Sequence, residues 1–303
     1  MRAHTSALLA AMALAAAACS SDTPTGITSD QTAVQQAYLD ADPGYFDENP
    51  GGSAVLASPL LTPSGALFAS PGDAYVAPEH WGRHREQTRP SRNRVVVIEG
   101  DTARVAVAVR FNGVFLVDTT FDSVANPASK PMHETLRHRA VFVRDTTARR
   151  GWRLVGMSIG DIVNTNLDER TVAITSMAVQ VNGTPVGEVT DPSHIYPVDG
   201  GVPQLHVGDS VVVTAAVTNT TGTDLVPPTQ VFLHVRHCRA DRDDWVRIPM
   251  HDNGDGTWTV GWTVRRPGIA RMAVDAIDSE TLQTQTGDNY RANIWAFPYR
   301  ALP

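Results

Sequence analysis

Beyond Pro90 the chain alternates apolar and polar residues with a period of two. From Thr102 to Phe111, Ala103, Val105, Val107 and Val109 fall on one side, and Arg104, Ala106, Ala108 and Arg110 on the other. That is the spacing of a half-buried strand. Arg94–Ile98 is β-branched, and Glu99-Gly100-Asp101 is expected to turn it. Asn112-Gly113 predicts a hairpin, with Val114–Phe121 as the returning strand. Thr135–Arg144 and Trp152–Ile159 predict two more strands around an arginine-rich turn. From Thr171 onward nearly everything reads as short strands: Val172–Val181, Ser210–Asn219, Gln230–Cys238, Trp245–Pro249, Thr257–Val264, Ala270–Ile277 and Arg291–Phe297. Helical spacing is confined to the start. Val34, Ala37, Tyr38 and Ala41 predict a helix over Gln31–Asp42, stopped by Pro43-Gly44. Pro78–Arg89 predicts a second, bounded by prolines. Between them, Tyr45–Asp73 is rich in Gly, Pro and Ser and reads as loops with room for a hairpin.

The first residues follow another pattern. After a short polar start (Met1, Arg2, His4), an apolar, alanine-rich run of 13 residues, Ser6–Ala18, leads directly to Cys19. It is too short to anchor as a spanning helix, and it matches the apolar region of a secretory signal. With its cysteine, the run resembles the lipobox of bacterial lipoproteins, departing from the common pattern at Ala16, where a larger aliphatic residue is usual. The resemblance implies cleavage between Ala18 and Cys19, a thioether-linked lipid on Cys19 and attachment to a membrane. Ser20 beside the cysteine resembles outer-membrane sorting, where two membranes exist. The alternative is an ordinary secretory signal that happens to contain a cysteine. The expected organisation is a signal at 1–18, a Ser/Thr/Asp/Pro/Gly-rich tether at 19–30, an α+β antiparallel-sheet domain at 31–162, a polar joint and a β-sandwich at 171–303.

Composition narrows the class of partner. Hydrophobic residues at 42% and charged residues at 19% suit a globular chain. Loss of Arg2 with the signal takes the net charge from −7 to −8, which with no basic block argues against a nucleic-acid partner. Lys130 is the sole lysine among 25 basic residues, a bias that reads as GC-rich coding and carries no functional signal at this level. With lipid on Cys19, Cys238 has no partner for an internal disulfide.

Two further resemblances set the expected fold. "EGDTARVAVAVR" and "HRAVFVRDTTARRGWRLVGMSIGD" resemble the strand half of the nuclear transport factor two-like, or cystatin-like, fold, in which a sheet curls around helices to make a pocket. "DSVVVTAAVTNTTG" and "HDNGDGTWTVGWTVRRPGIARMAVDAID" resemble immunoglobulin-like domains of bacterial surface proteins and filamins. The expected class is mainly β: a small α+β antiparallel-sheet domain followed by an immunoglobulin-like β-sandwich.

Candidate chemistry is sparse. Asp252-Asn253-Gly254-Asp255-Gly256 lacks the alternation and closing glutamate of an EF-hand and reads as a hairpin turn. His234, His237 and Cys238 are of ligand type, but strand alternation puts His237 opposite the other two. His80 and His84 would share a helix face without the glutamate of a metalloprotease motif, and His133 and His138 fall on opposite faces of a strand; both pairs read as surface histidines. No Gly-x-Ser-x-Gly elbow or phosphate loop occurs. If the first domain encloses a pocket, Asp118, Asp122, His133 and Asp161 are its titratable candidates for acid–base work. Trp258 and Trp262 share a strand face with Val260 and Val264 and read as core; Trp152, Trp245 and Trp295 are the other tryptophans weighed as a binding surface.

The functional expectation is therefore a lipid-anchored envelope protein acting as a non-catalytic binding or structural module, with no cofactor or metal. Its partners are the membrane and a protein, glycan or small molecule. The alternative is an isomerase- or cyclase-like enzyme with a pocket in residues 31–162. A third, weaker reading is an assembly factor presenting an edge strand.

Overall fold

The computed structural model describes residues 29–41, 45, 80–86, 91–120, 126–238, 243–287 and 289–303. Helix α1 (Ser29–Asp40) leads. It turns Val34, Ala37 and Tyr38 inward, the spacing that predicts it. Six strands follow: β1 (His80–Arg85), β2 (Ser91–Glu99), β3 (Thr102–Asp118), β4 (Ala128–Arg144), β5 (Trp152–Met157) and β6 (Gly160–Asn164). Next come β7 (Val172–Val181), β8 (Thr184–Val189), β9 (Tyr196–Pro197), β10 (Gln204–His206), β11 (Ser210–Asn219), β12 (Thr229–Cys238) and β13 (Asp243–Pro249). The chain ends with β14 (His251–Asp252), β15 (Thr257–Thr263), β16 (Gly268–Asp278), a short helix α2 (Ser279–Gln283) and β17 (Ala292–Leu302). The protein is mainly β, with antiparallel sheets.

Among the described residues twelve strands share one sheet, whose main path is β1-β3-β4-β6-β17-β16-β12-β13. β6 pairs with β4 on one side and β17 on the other, so a single hydrogen-bonded sheet spans the 31–162 and 171–303 segments. A second sheet, β14-β15-β11-β7-β8, lies over one face of β12, β16 and β17. The two sheets share a core of Met177, Val211, Val213, Leu233, Val274 and Trp295 among others. The opposite face of β16 and β17 is also covered. Ala273, Ile294 and Ala296 pack with α1 and the inner side of β3 and β4. Ile277, Phe232 and Ala292 pack with Trp81 and Phe115. Burial on both faces explains why β16 and β17 read as near-continuous apolar runs.

Two local expectations are overturned. Pro78–Arg89 is not a helix where described; His80–Arg85 is a strand along β3. Asn112-Gly113 is no hairpin, because β3 runs straight through it and pairs with β4 along its whole length. Gly113 serves a close approach instead of a turn: a Cβ there would lie 2.2 Å from the carbonyl oxygen of His84 on β1. The hairpin turn lies at Gly100, in the left-handed region at φ 59°, between Glu99 and Thr102.

Candidate functional site

β1 is an edge of the long sheet, yet its side chains meet β12 and β16 from the far end of the same strand order. The sheet therefore curls until its ends face each other. Arg247 of β13 reaches across, donating to the Trp81 carbonyl at 3.1 and 3.2 Å, with its guanidinium 3.4 Å from the indole centre. Inside the curl lies a closed ionic cluster. Arg83 donates from Nη1 and Nη2 to the two Asp275 carboxylate oxygens at 2.5 and 2.8 Å, and from Nε to the Tyr290 hydroxyl at 2.7 Å. Tyr290 donates in turn to Glu134 at 2.5 Å. Arg85 donates to the other Glu134 oxygen at 2.7 Å. His234 Nε2 lies 2.9 Å from Asp275 Oδ2.

Two guanidiniums thus face two carboxylates, in a chamber walled by Trp81, Phe115 and Phe232. Burial alone would raise both carboxyls. The Arg83 charge and the His234 hydrogen bond overcome it at Asp275, and Arg85 with Arg83 at Glu134, holding both below the usual value. Burial lowers His234, and Asp275 only partly offsets that, so the imidazole stays neutral and donates. Burial drives the Tyr290 phenol well up. The pair His234–Asp275 has the spacing of a catalytic dyad, but His234 is only 1% exposed. Its neighbours are consumed by one another. The arrangement clasps β1 to β16 across 192 residues of sequence.

Below this cluster Lys130, the sole lysine, is fully buried. Its ammonium donates to the carbonyls of Glu280 and Thr281 at 3.2 and 2.8 Å, to Thr284 Oγ1 at 3.0 Å and to Asn289 Oδ1 at 2.8 Å. Burial brings its pKa down to about 8, against the pull of Asp278 and Glu280. A compact ammonium suits this ring of oxygens; a planar guanidinium does not. The one position that keeps lysine is thus one where shape excludes arginine.

At the α1 end, His138 is buried against the Tyr38 hydroxyl at 2.8 Å. Burial, then the charges of Arg271 and Arg94, push it down to about 3. Leu136, His138, Ser158, Arg271 and Tyr45 border a cavity of about 10 Å³, room for roughly one water. His138 is thus a core residue, contrary to its surface reading.

The expected titratable set does not converge. Asp118 closes a turn, accepting from Thr120 and from the Asn126 amide. His133 is exposed and bonds Asn112 at 2.9 Å. Asp161 faces Asn293 at 3.1 Å, its carboxyl raised by burial. By register Asp118 and Asp161 sit about ten residues apart along β4, on the order of 30 Å. His133 and Asp161 lie on the outer side of the sheet, away from α1 and the ionic cluster. Asp122 lies outside the described residues, as do Ala18, Cys19 and the side chains of His80, His237, Cys238 and Trp245. His84 is an exposed strand residue. Asp252–Gly256 is a turn with Gly254 and Gly256 left-handed. Trp152, Trp258 and Trp295 are buried, and Trp262 packs on the shared core. Among the described residues no His/Cys/Asp/Glu group is placed to hold a metal, and no helix is long and apolar enough to cross a membrane.

Sequence reasoning missed Arg83, Glu134, Tyr290 and Asp275. One signal was present: an aspartate alone inside the apolar run Met272–Ile277 needs a buried partner. No protein-family model matches the chain, and no curated protein is similar to it.

Proposed function

We propose that this protein is an exported lipoprotein, held to a bacterial membrane through Cys19, that acts as a non-catalytic binding or structural module. The observation that carries the reading is the apolar run Ser6–Ala18 ending at Cys19. Among the described residues, Phe115, Lys130, Tyr290 and the paired charges fill the inside of the curl. Its ligand is a protein, glycan or small molecule met at the outer surface, with no cofactor.

The finer fold belongs to the same proposal. Residues 171–303 are an immunoglobulin-like sandwich, supported by the two antiparallel sheets sharing one core. Residues 31–162 supply helix α1 and one part of the curled sheet, as the nuclear transport factor two-like strand rhythm suggests. The test is fractionation of cells given a radiolabelled fatty acid. The wild-type protein is expected in the membrane fraction and labelled; Cys19→Ala is expected unlabelled. A soluble, unlabelled wild-type protein refutes the anchor.

A further inference from the structure

The long sheet has two faces, and the second sheet covers only part of one. Over β12, β16 and β17 that face is packed. Over β2, β3 and β4 it is exposed among the described residues. Val95 and Val97 are 51% and 49% exposed there. Ladder partners extend the patch: Val95 opposite Ala106 opposite Arg139, Val97 opposite Arg104 opposite Val141, Asn93 opposite Ala108 opposite Arg137. Arg104, Arg110, Arg137 and Arg139 are all exposed. Glu99, paired with Arg104 at 3.0 Å, and Asp118, buried in its turn with Thr120, are the acids of these strands' outward rows. At the inner margin Asp161 and Arg170 lie beside Arg137, and Asp191 beside Arg139. Arginines interleaved with aliphatic residues, on a chain of net charge −7, form a surface unlike its surroundings.

We propose that this face lies against an anionic lipid bilayer. The inference rests on the proposed anchor, because position argues for the occupant as much as charge does. Gln31, in the first turn of α1, donates to the Val96 carbonyl of β2 at 3.3 Å. Val95 and Val97, on either side of Val96, point to the exposed face. The described chain therefore begins beside β2, at the rim of the patch, with α1 on the sheet's opposite face. Ser29 is only ten positions after Cys19, a reach of at most about 36 Å. An anchor so placed keeps the rim near lipid headgroups. The arginines complement anionic phosphates there, and the valines and alanines meet the acyl boundary.

The test uses the mature chain from residue 19 with Cys19→Ser, which cannot be acylated, so its result is independent of the anchor's. Vesicles of equimolar phosphatidylglycerol and phosphatidylcholine are expected to retain it at low ionic strength. Pure phosphatidylcholine, or about 1 M salt with its Debye length of about 3 Å, is expected to release it. Arg110→Gln/Arg137→Gln/Arg139→Gln is expected to weaken retention about a hundredfold, from about fivefold per arginine. Val95→Ser/Val97→Ser is expected to weaken it as well. The control Arg265→Gln/Arg266→Gln/Arg300→Gln removes the same charge from exposed positions elsewhere and is expected to change retention less than fivefold. A wild-type chain that ignores anionic vesicles, as a face reserved for a protein partner would, overturns the proposal. So do two triple variants that lose equally. Failure of the anchor alone shows instead as an unacylated wild-type protein in cells.

Discussion

Asp275→Asn isolates the electrostatic clasp, because the substitution keeps the side chain's shape and removes its charge. In the wild type, Asp275 accepts two Arg83 bonds, at 2.5 and 2.8 Å, and faces His234 at 2.9 Å, with no solvent access. Asparagine offers one oxygen in place of two and turns its amide toward a guanidinium. Arg83 then keeps one neutral acceptor at position 275, Tyr290 and the 3.2 Å approach to Glu134. Removing one partner of a buried pair costs about 3–5 kcal/mol. At about 2–4 °C per kcal/mol for a chain of this size, the melting temperature should fall by about 6–20 °C. Chemical denaturation at pH 7, with an unchanged m-value, measures the loss. Arg83→Met/Asp275→Leu, which removes both charges, should be less destabilised than the sum of its single variants, by about 2 kcal/mol or more. Acid should act the same way on the wild type. The folded Asp275 and Glu134 carboxyls titrate below their unfolded value of about 4. Their contribution is therefore complete above about pH 5 and fades as pH falls toward the folded values. A loss under about 1 kcal/mol for Asp275→Asn, or strict additivity of the pair, refutes the clasp.

His138 titrates near 6.5 unfolded and at about 3 folded. Stability should thus fall on acidification between those values by up to about 1.4 kcal/mol per pH unit. His138→Gln should flatten that slope in urea midpoints taken at pH 7, 6 and 5, leaving the share due to His234; identical slopes sink the assignment. Gly113→Ala should destabilise by about 1–3 kcal/mol, since its methyl would enter the His84 carbonyl; a neutral result would mean that β1 stands further from β3. Lys130 should resist an amine-reactive ester in the native protein and take one label after denaturation, read by peptide mass. Lys130→Arg should lower stability by about 2 kcal/mol or more, because a guanidinium cannot occupy a ring of four oxygens. Native labelling of Lys130 contradicts its burial.

The elements that declare themselves locally could be read before the fold. The alternation of Thr102–Phe111 gives the inner and outer rows of β3, and Val34, Ala37 and Tyr38 give the face of α1. Asn112-Gly113 misled because a glycine needed for strand approach looks the same as a glycine needed for a turn. His80–Arg85 misled because its short polar run between prolines carries no period, and only pairing with β3 makes it a strand. The ionic cluster left one local sign, Asp275 alone in an apolar run, and none that named its partners. Arg83 and Asp275 are 192 positions apart, and Tyr290 and Glu134 are 156 apart. Their meeting depends on the curl of the whole sheet. The outer histidine and aspartates were chosen by residue type, and strand parity put His133 and Asp161 on the wrong face for an enclosed site.

The account stands on the fate of one sulfur. Intact mass and N-terminal peptide spectra of the protein purified from membranes test it directly. Because Lys130 is buried, a native amine-reactive probe also reports on the N-terminus alone. The account predicts a chain beginning at Cys19, heavier by a diacylglyceryl group on the thiol. A chain beginning elsewhere, or one starting at Cys19 with a free thiol, contradicts it.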